Sequence, residues 1–474
     1  MNLNQLTIKE ALDGLRSKKF SSAELTNACL EQIKKLDKSI NAFITVCAEE
    51  VLKAAKKADQ LASQGDAWRD KPLLGIPIAL KDLFLTKGIG TTAASKVLDN
   101  FIPVYDATVV KKLKEAGAII IGKTNCDAWG HGSSGENSDF GPTKNPWNKE
   151  YVPGGSSSGS AASVAADMCL ASTGTDTGGS IRLPASFCNV VGLKPTYGRV
   201  SRYGIIAMAS SLDSIGHFTK TVRDSAMFLE ITAGIDKMDA TTSTNKVPRY
   251  TKNLDKKIKG LKIGLPMDSY IKNIEKGIFY RFKDALDILE KQLGVKFVDI
   301  ALPHNEYATA CYYIIQPAEV SSNLARYDGI RFGNDRSYFR NEAKRRIMLG
   351  TYTLSAGYYE AYYKKAIQVR TLIKKDFNDA FKKVDAIIIP VSPTAPWKLG
   401  EKINDPLKMY LSDIFTVTAN LAGIPGLSVP IGFVNGLPIG MQILGPHFSE
   451  ELLFQIGYAY ERETQFYRKK PKIL

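Results

Sequence analysis

Up to about residue 65, apolar side chains recur every three to four positions, the spacing of helices with one buried face. Two capping boxes punctuate this helical N-terminal region, Thr7 with Glu10 and Ser21 with Glu24, each ahead of an amphipathic run. A third helix is predicted over Ala48 to Ser63. The texture then changes. Leu73-Leu-Gly-Ile-Pro-Ile-Ala-Leu80 reads as a buried strand that ends at Lys81-Asp82. Asp106 is placed to cap a helix running through Ala116, and Ala118 to Ile121 forms the next buried strand. Strands alternating with helices in this way indicate an α/β sheet covered on both faces.

From Ser133 to Ser180 the chain is rich in Gly, Ser and Thr. Regular patterning then resumes, with strands near Lys262–Leu265, Lys296–Ile300 and Ala386–Val391. Leu427–Phe433 and Pro438–Leu444 flank Asn435-Gly436, a hairpin signal because that pair tolerates left-handed backbone. A last helix runs from about Ser449 to Arg462. Lys237 to Asp255 is polar and reads as a surface excursion. No internal repeat and no linker forces a division, so the expectation is one domain, 1–474, built on a single large mixed β-sheet.

Composition narrows the class. The 474 residues are 44% hydrophobic and 23% charged, the profile of a globular chain. No run approaches the roughly eighteen apolar residues of a membrane span, and Met1 to Lys9 lacks a secretory apolar core, so a cytoplasmic protein is expected. The six cysteines are scattered and the four histidines are not clustered, which argues against zinc sites and disulfide frameworks. The formal net charge of +15 is spread along the chain without aromatic interleaving; it permits an acidic partner and identifies none.

Two motif matches fail on context. Gly117-Ala-Ile-Ile-Ile-Gly122-Lys123-Thr124 has phosphate-loop spacing, but its centre is a strand whose N–H groups belong to the sheet. Gly155-Ser156-Ser157-Ser158-Gly159 has the form of a nucleophile elbow, with Asp413 and His447 following in the right order. The Val-Pro-Gly before it is no strand for the elbow to spring from. A Ser157–His447–Asp413 triad stays open as a minor alternative.

The segments left unexplained are Pro153-Gly-Gly-Ser156-Ser-Ser-Gly-Ser160 and Gly174-Thr-Asp-Thr177-Gly178-Gly179-Ser180-Ile-Arg-Leu-Pro184. Composition alone would make the first a flexible linker. Each, however, runs straight into a segment that reads as a packed helix, Ala161–Ala166 and Ile181–Cys188. Thr177, Gly178, Gly179 and Ser180 offer successive backbone N–H groups with little side-chain bulk, an arrangement suited to an oxyanion. A serine ending such a loop sits where an acyl-attacking nucleophile belongs. Lys81 is the candidate base: burial behind an apolar strand depresses an ammonium pKa and frees the neutral amine. By position alone, a lysine snorkelling from a strand end is the simpler reading.

Together these three segments resemble the amidase signature family, in Gly-Ile-Pro-Ile-Ala-Leu-Lys81-Asp-Leu, Pro-Gly-Gly-Ser156-Ser and Gly-Thr-Asp-Thr-Gly-Gly-Ser180-Ile-Arg, and in the spacing between them. Ser158 departs from the pattern, standing where the family usually has glycine. The resemblance implies the family's single mixed-sheet fold, with its signature core over about residues 72–200. It also implies a Lys–Ser–Ser triad, in which Ser180 attacks an amide while Ser156, preceded by a cis peptide, passes the proton to Lys81.

Three further segments resemble the branch of that family that serves as glutaminase in tRNA-dependent amidotransferases: Glu319 to Arg331, Lys344 to Tyr352 with Ser355 to Tyr363, and Tyr410 to Asp413 with Ala419 to Pro425. That branch is longer between Arg331 and Lys344. Its motifs imply a glutamine substrate held by Arg346 at the carboxylate and Asp413 at the ammonium, with a tyrosine of Tyr312-Tyr313 near the side chain. Arg345 is the other candidate for the carboxylate. The branch further implies ammonia transfer to Glu-tRNA(Gln) or Asp-tRNA(Asn) within a complex. A B-type subunit would activate the misacylated tRNA with ATP and magnesium, a small C-type subunit would complete the assembly, and no cofactor would sit in this chain. A stand-alone amidase acting on small-molecule amides is the alternative.

Overall fold

The computed structural model describes residues 2–64, 67–267 and 274–472. Among them, eleven strands join one mixed sheet: β1 Phe43–Val46, β2 Pro77–Lys81, β3 Ile119–Thr124, β4 Ala171–Asp176, β5 Val191–Lys194, β6 Ser214–Thr219, β7 Lys262–Leu265, β8 Lys296–Asp299, β9 Ala386–Pro390, β10 Gly426–Val434 and β11 Leu437–Leu444. Their order across the sheet is β1-β3-β2-β4-β6-β5-β10-β11-β9-β7-β8. β2 runs parallel to β3 and β4, and β7 parallel to β8 and β9; the remaining pairs are antiparallel. Strands β2, β3, β4, β6 and β11 are buried at every position, so both faces of the sheet's centre are covered.

Both capping boxes form, opening helices Ile8–Arg16 and Ser22–Ile40, and the third helix spans Ala48–Ser63 as read from the sequence. The hairpin turns at Asn435 and Gly436, both at positive φ. Several boundaries move. The strand expected from Leu73 begins only at Pro77, because residues 72–75 form a turn in which the Leu73 N–H reaches Ala116 O at 2.8 Å. Asp106 does not cap the next helix, which starts at Thr108 with no side-chain cap; its carboxylate instead accepts from Lys87 N and Lys114 Nζ. The polar stretch 237–255 is pinned rather than free, with Tyr250 fully buried in it against Phe454.

The phosphate-loop match resolves as expected from its apolar centre. Gly122, Lys123 and Thr124 continue β3, and Lys123 Nζ is spent inside the fold on Phe84 O, Thr91 Oγ1 and Asp82.

Candidate active site

Strand β2 ends on Lys81 and β4 lies beside it. The Lys81 N–H donates to Thr173 Oγ1 at 3.0 Å, fixing the strand end, and its side chain is wholly buried. Lys81 Nζ lies 2.8 Å from Ser156 Oγ, 2.9 Å from Ser157 Oγ and 2.8 Å from Thr175 Oγ1. Burial pushes its pKa down to about 8, against the pull of Asp127, Asp176 and Asp213 nearby. Ser157 also donates to Thr175 O at 3.2 Å, so its own proton is committed and its contact with Lys81 must use a lysine proton. A neutral amine that gives its N–H groups to Ser157 and Thr175 keeps its lone pair for Ser156.

Ser156 follows a cis Gly155–Ser156 peptide and starts the turn into helix Ser158–Ala165. Ser158, the departure from the family pattern, is the first helical residue and donates to Thr143 Oγ1, so no left-handed backbone is asked of it. The Ser157 N–H bonds to Ser180 O at 3.2 Å, which holds the two serine loops together.

Between β4 and helix Arg182–Cys188, one carboxylate organises the turn. Asp176 accepts from the N–H groups of Gly179, Ile181 and Arg182 and pairs with the buried Arg182 guanidinium at 3.0 Å. Burial alone would raise the Asp176 pKa, but Arg182, helped by Lys194 and Asn420, brings it to about 2. The Gly179 N–H is thereby committed to Asp176. That leaves the N–H groups of Thr177, Gly178 and Ser180 as the loop's remaining donors. A Cβ on Gly178 would sit 2.6 Å from Tyr312 Oη, so only glycine lets that tyrosine reach the loop.

The residues expected to hold an amino-acid head group converge beside this loop. Asp413 accepts from Ser133 Oγ at 2.7 Å and Tyr313 Oη at 2.8 Å, and burial raises it to about 6. The Ser133 carbonyl in turn accepts from Gly155 N–H at 2.9 Å, tying Asp413 to the residue before Ser156. Tyr313 stacks on Tyr410 with ring centres 3.9 Å apart, and the Arg346 guanidinium lies 5.8 Å from the centre of each ring. Helix Asn341–Thr353 brings Arg346 in by packing tightly on helix Ala308–Leu324, so closely that a Cβ on Gly350 would run into Pro317 O. Arg346 is buried, bonded to Glu342 at 2.8 Å and to Gln316 Oε1 at 2.9 Å, while Arg345 is partly exposed and pairs with Glu342. A cavity of about 490 Å³ opens on this side, lined by His131, Ser134, Glu342, Arg346 and Tyr410 among others.

The alternative triad does not assemble. The Ser157 hydroxyl is engaged by Lys81 and Thr175, and the Asp413 oxygens by Ser133 and Tyr313, so neither pairs with His447. Sequence reasoning missed Ser157 and Thr175 as partners of Lys81, and also Ser133, Gln316 and Tyr410. A signal for Thr175 was present: Thr173 and Thr175 are two apart on β4 and therefore share the face that meets Lys81.

A buried lysine–serine pair beside a glycine-rich serine turn, on one mixed sheet, defines a class of amide-cleaving proteins. The chain belongs to the amidase family, whose model, Amidase, matches residues 24–454. Within it the chain is similar over its whole length to curated proteins named as the A subunit of glutamyl-tRNA(Gln) amidotransferase. That of Geobacter metallireducens is 54% identical and that of Desulfatibacillum aliphaticivorans 52%, with all of each chain covered. The crystal structure of the same amidotransferase's A subunit from Thermotoga maritima superposes with a TM-score of 0.86. It is 45% identical, covering 100% of this chain and 99% of that one.

Proposed function

We propose that this chain is the glutaminase subunit of a glutamyl-tRNA(Gln) amidotransferase, hydrolysing glutamine to supply ammonia. The observation that carries the chemistry is the Lys81 amine, depressed to about 8 and 2.8 Å from Ser156 Oγ. Ser180 attacks the side-chain carboxamide and gives its proton to Ser156, which passes its own to Lys81. The developing oxyanion rests on the N–H groups of Thr177, Gly178 and Ser180, with Gly179 shaping the turn through its bond to Asp176. The relay then runs backwards to protonate the leaving ammonia, and water releases glutamate from Ser180.

Glutamine as substrate is supported by an acid and a base that meet at Tyr313, Asp413 accepting from its Oη at 2.8 Å and Arg346 lying 5.8 Å from its ring centre. Asp413 faces the ammonium and Arg346 the α-carboxylate, with Tyr312 and Tyr313 along the side chain. Full-length similarity to the amidotransferase glutaminases supports the remainder. Ammonia passes to a GatB-like subunit that uses ATP and magnesium to activate Glu-tRNA(Gln), and in some settings Asp-tRNA(Asn). A GatC-like subunit completes a cytoplasmic heterotrimer, and tRNA is held mainly by the GatB-like partner. Among the described residues no helix is long and apolar enough to cross a membrane.

The test is to assay glutamine hydrolysis by the chain alone, with its GatB-like and GatC-like partners, and then with ATP and misacylated tRNA. A stepwise rise, with ammonia appearing on tRNA, is expected, because partner binding must favour the competent state of the glutamine site. Full activity in isolation together with strong hydrolysis of aryl or fatty amides would make it a stand-alone amidase.

A further inference from the structure

Buried polar groups are nearly always paired, and each exception calls for an explanation. Two such exceptions flank Arg346. His131 is fully buried on the cavity wall, yet neither ring nitrogen has a hydrogen-bond partner. The other histidines are placed differently: His217 bonds to Ser225, His304 pairs with Asp376, and His447 is only partly buried. Gln316 is also fully buried. Its Oε1 accepts from Arg346 Nη1, an assignment fixed because a guanidinium only donates, which leaves the Gln316 Nε2 amide donor without a partner. Burial and the Arg346 charge both keep His131 neutral, so its ring carries one N–H.

Arg346 itself is partly spent. Its Nε serves Glu342 and its Nη1 serves Gln316, and the Glu342 carboxylate offsets its charge. An incoming carboxylate therefore meets an arginine with Nε and one Nη1 proton already committed, next to two unmet neutral donors. We propose that His131 and Gln316 are specificity-determining residues of the α-carboxylate subsite, donating from the imidazole N–H and from Nε2 to the substrate carboxylate beside Arg346. This rests on the glutamine reading above and adds to it the donors that recognise the acid end.

The test measures KM and kcat with the assembled complex on glutamine and on butyramide, an amide that lacks the head group. Gln316→Glu keeps the shape and the acceptor for Arg346 but turns the free donor into an acceptor facing the carboxylate. His131→Phe removes the imidazole donor at similar volume, and His131→Asn restores one. Expected are rises in KM for glutamine of about tenfold or more for Gln316→Glu and His131→Phe, with kcat little changed, partial recovery in His131→Asn, and butyramide unaffected. Gln316→Glu also sets a charge against Arg346, so Gln316→Met, which removes the Nε2 donor without adding charge, must raise the glutamine KM as well; a rise in Gln316→Glu alone overturns the role of Nε2. Glutamine KM within about twofold of wild type in both variants overturns the inference, as does an equal loss on butyramide. Should Asp413→Asn raise the glutamine KM while these variants do not, the glutamine reading stands and only this inference falls. A wild-type complex with no preference for glutamine over butyramide removes both.

Discussion

Lys81 Nζ and Ser156 Oγ lie 2.8 Å apart at the end of an interior strand of the sheet, where the lysine is wholly buried. Neither residue alone is equipped for the chemistry, since an ammonium is no base and a serine hydroxyl is a poor one. Together they form a path by which a proton leaves Ser180 and returns to ammonia.

Members of one proton path act as a unit, so their losses should not add. Lys81→Met and Ser156→Ala should each lower kcat by roughly 10³-fold or more with the fold retained. The double variant should be little worse than the worse single. Multiplying losses, measured by steady-state kinetics with circular dichroism as a folding check, would place the two residues on separate paths.

Thr175 supplies an acceptor that directs the Lys81 lone pair towards Ser156. Thr175→Val should lower kcat by about 10- to 100-fold with KM nearly constant. Removing an acceptor of the ammonium also disfavours the charged form, so the apparent pKa of the base should move further down. A pH profile that keeps its wild-type break would contradict this role.

The base works only when neutral. Lys81 is lowered to about 8, so kcat/KM on a neutral amide should plateau above roughly pH 8 and fall about tenfold per pH unit below it. Asp413, raised to about 6 by burial, loses its charge as pH drops through that value. Glutamine, which brings an ammonium to pair with Asp413, should therefore show a second downward break near pH 6 that a neutral amide lacks. Parallel profiles for the two substrates would remove Asp413 from the ammonium site.

What the sequence disclosed followed from how each feature is encoded. Capping boxes, the Asn435-Gly436 turn and long apolar strands are written in local residue types; the boxes and the turn appear where expected, while the strand read from Leu73 starts at Pro77. Strand β4 was not legible, because Ala171-Ser-Thr-Gly-Thr-Asp176 carries neither apolar alternation nor bulk. Its hydroxyls are buried because Lys81 and the serine loops need partners. The triad residues were legible through motif resemblance, whereas burial of Lys81 had to be inferred. His131 and Gln316 gave no signal, since an unmet donor is a property of packing alone. The convergence of Arg346 and Asp413 from segments far apart in the chain likewise needed the folded structure.

The central claim, that Ser180 is the nucleophile, is tested most directly by mass spectrometry of the chain trapped with a glutamine-like electrophile. Digestion and fragmentation of the adduct should place the added mass on Ser180, and Ser180→Ala should carry none. An adduct on Ser156 or Ser157, or one that persists in Ser180→Ala, would contradict the mechanism.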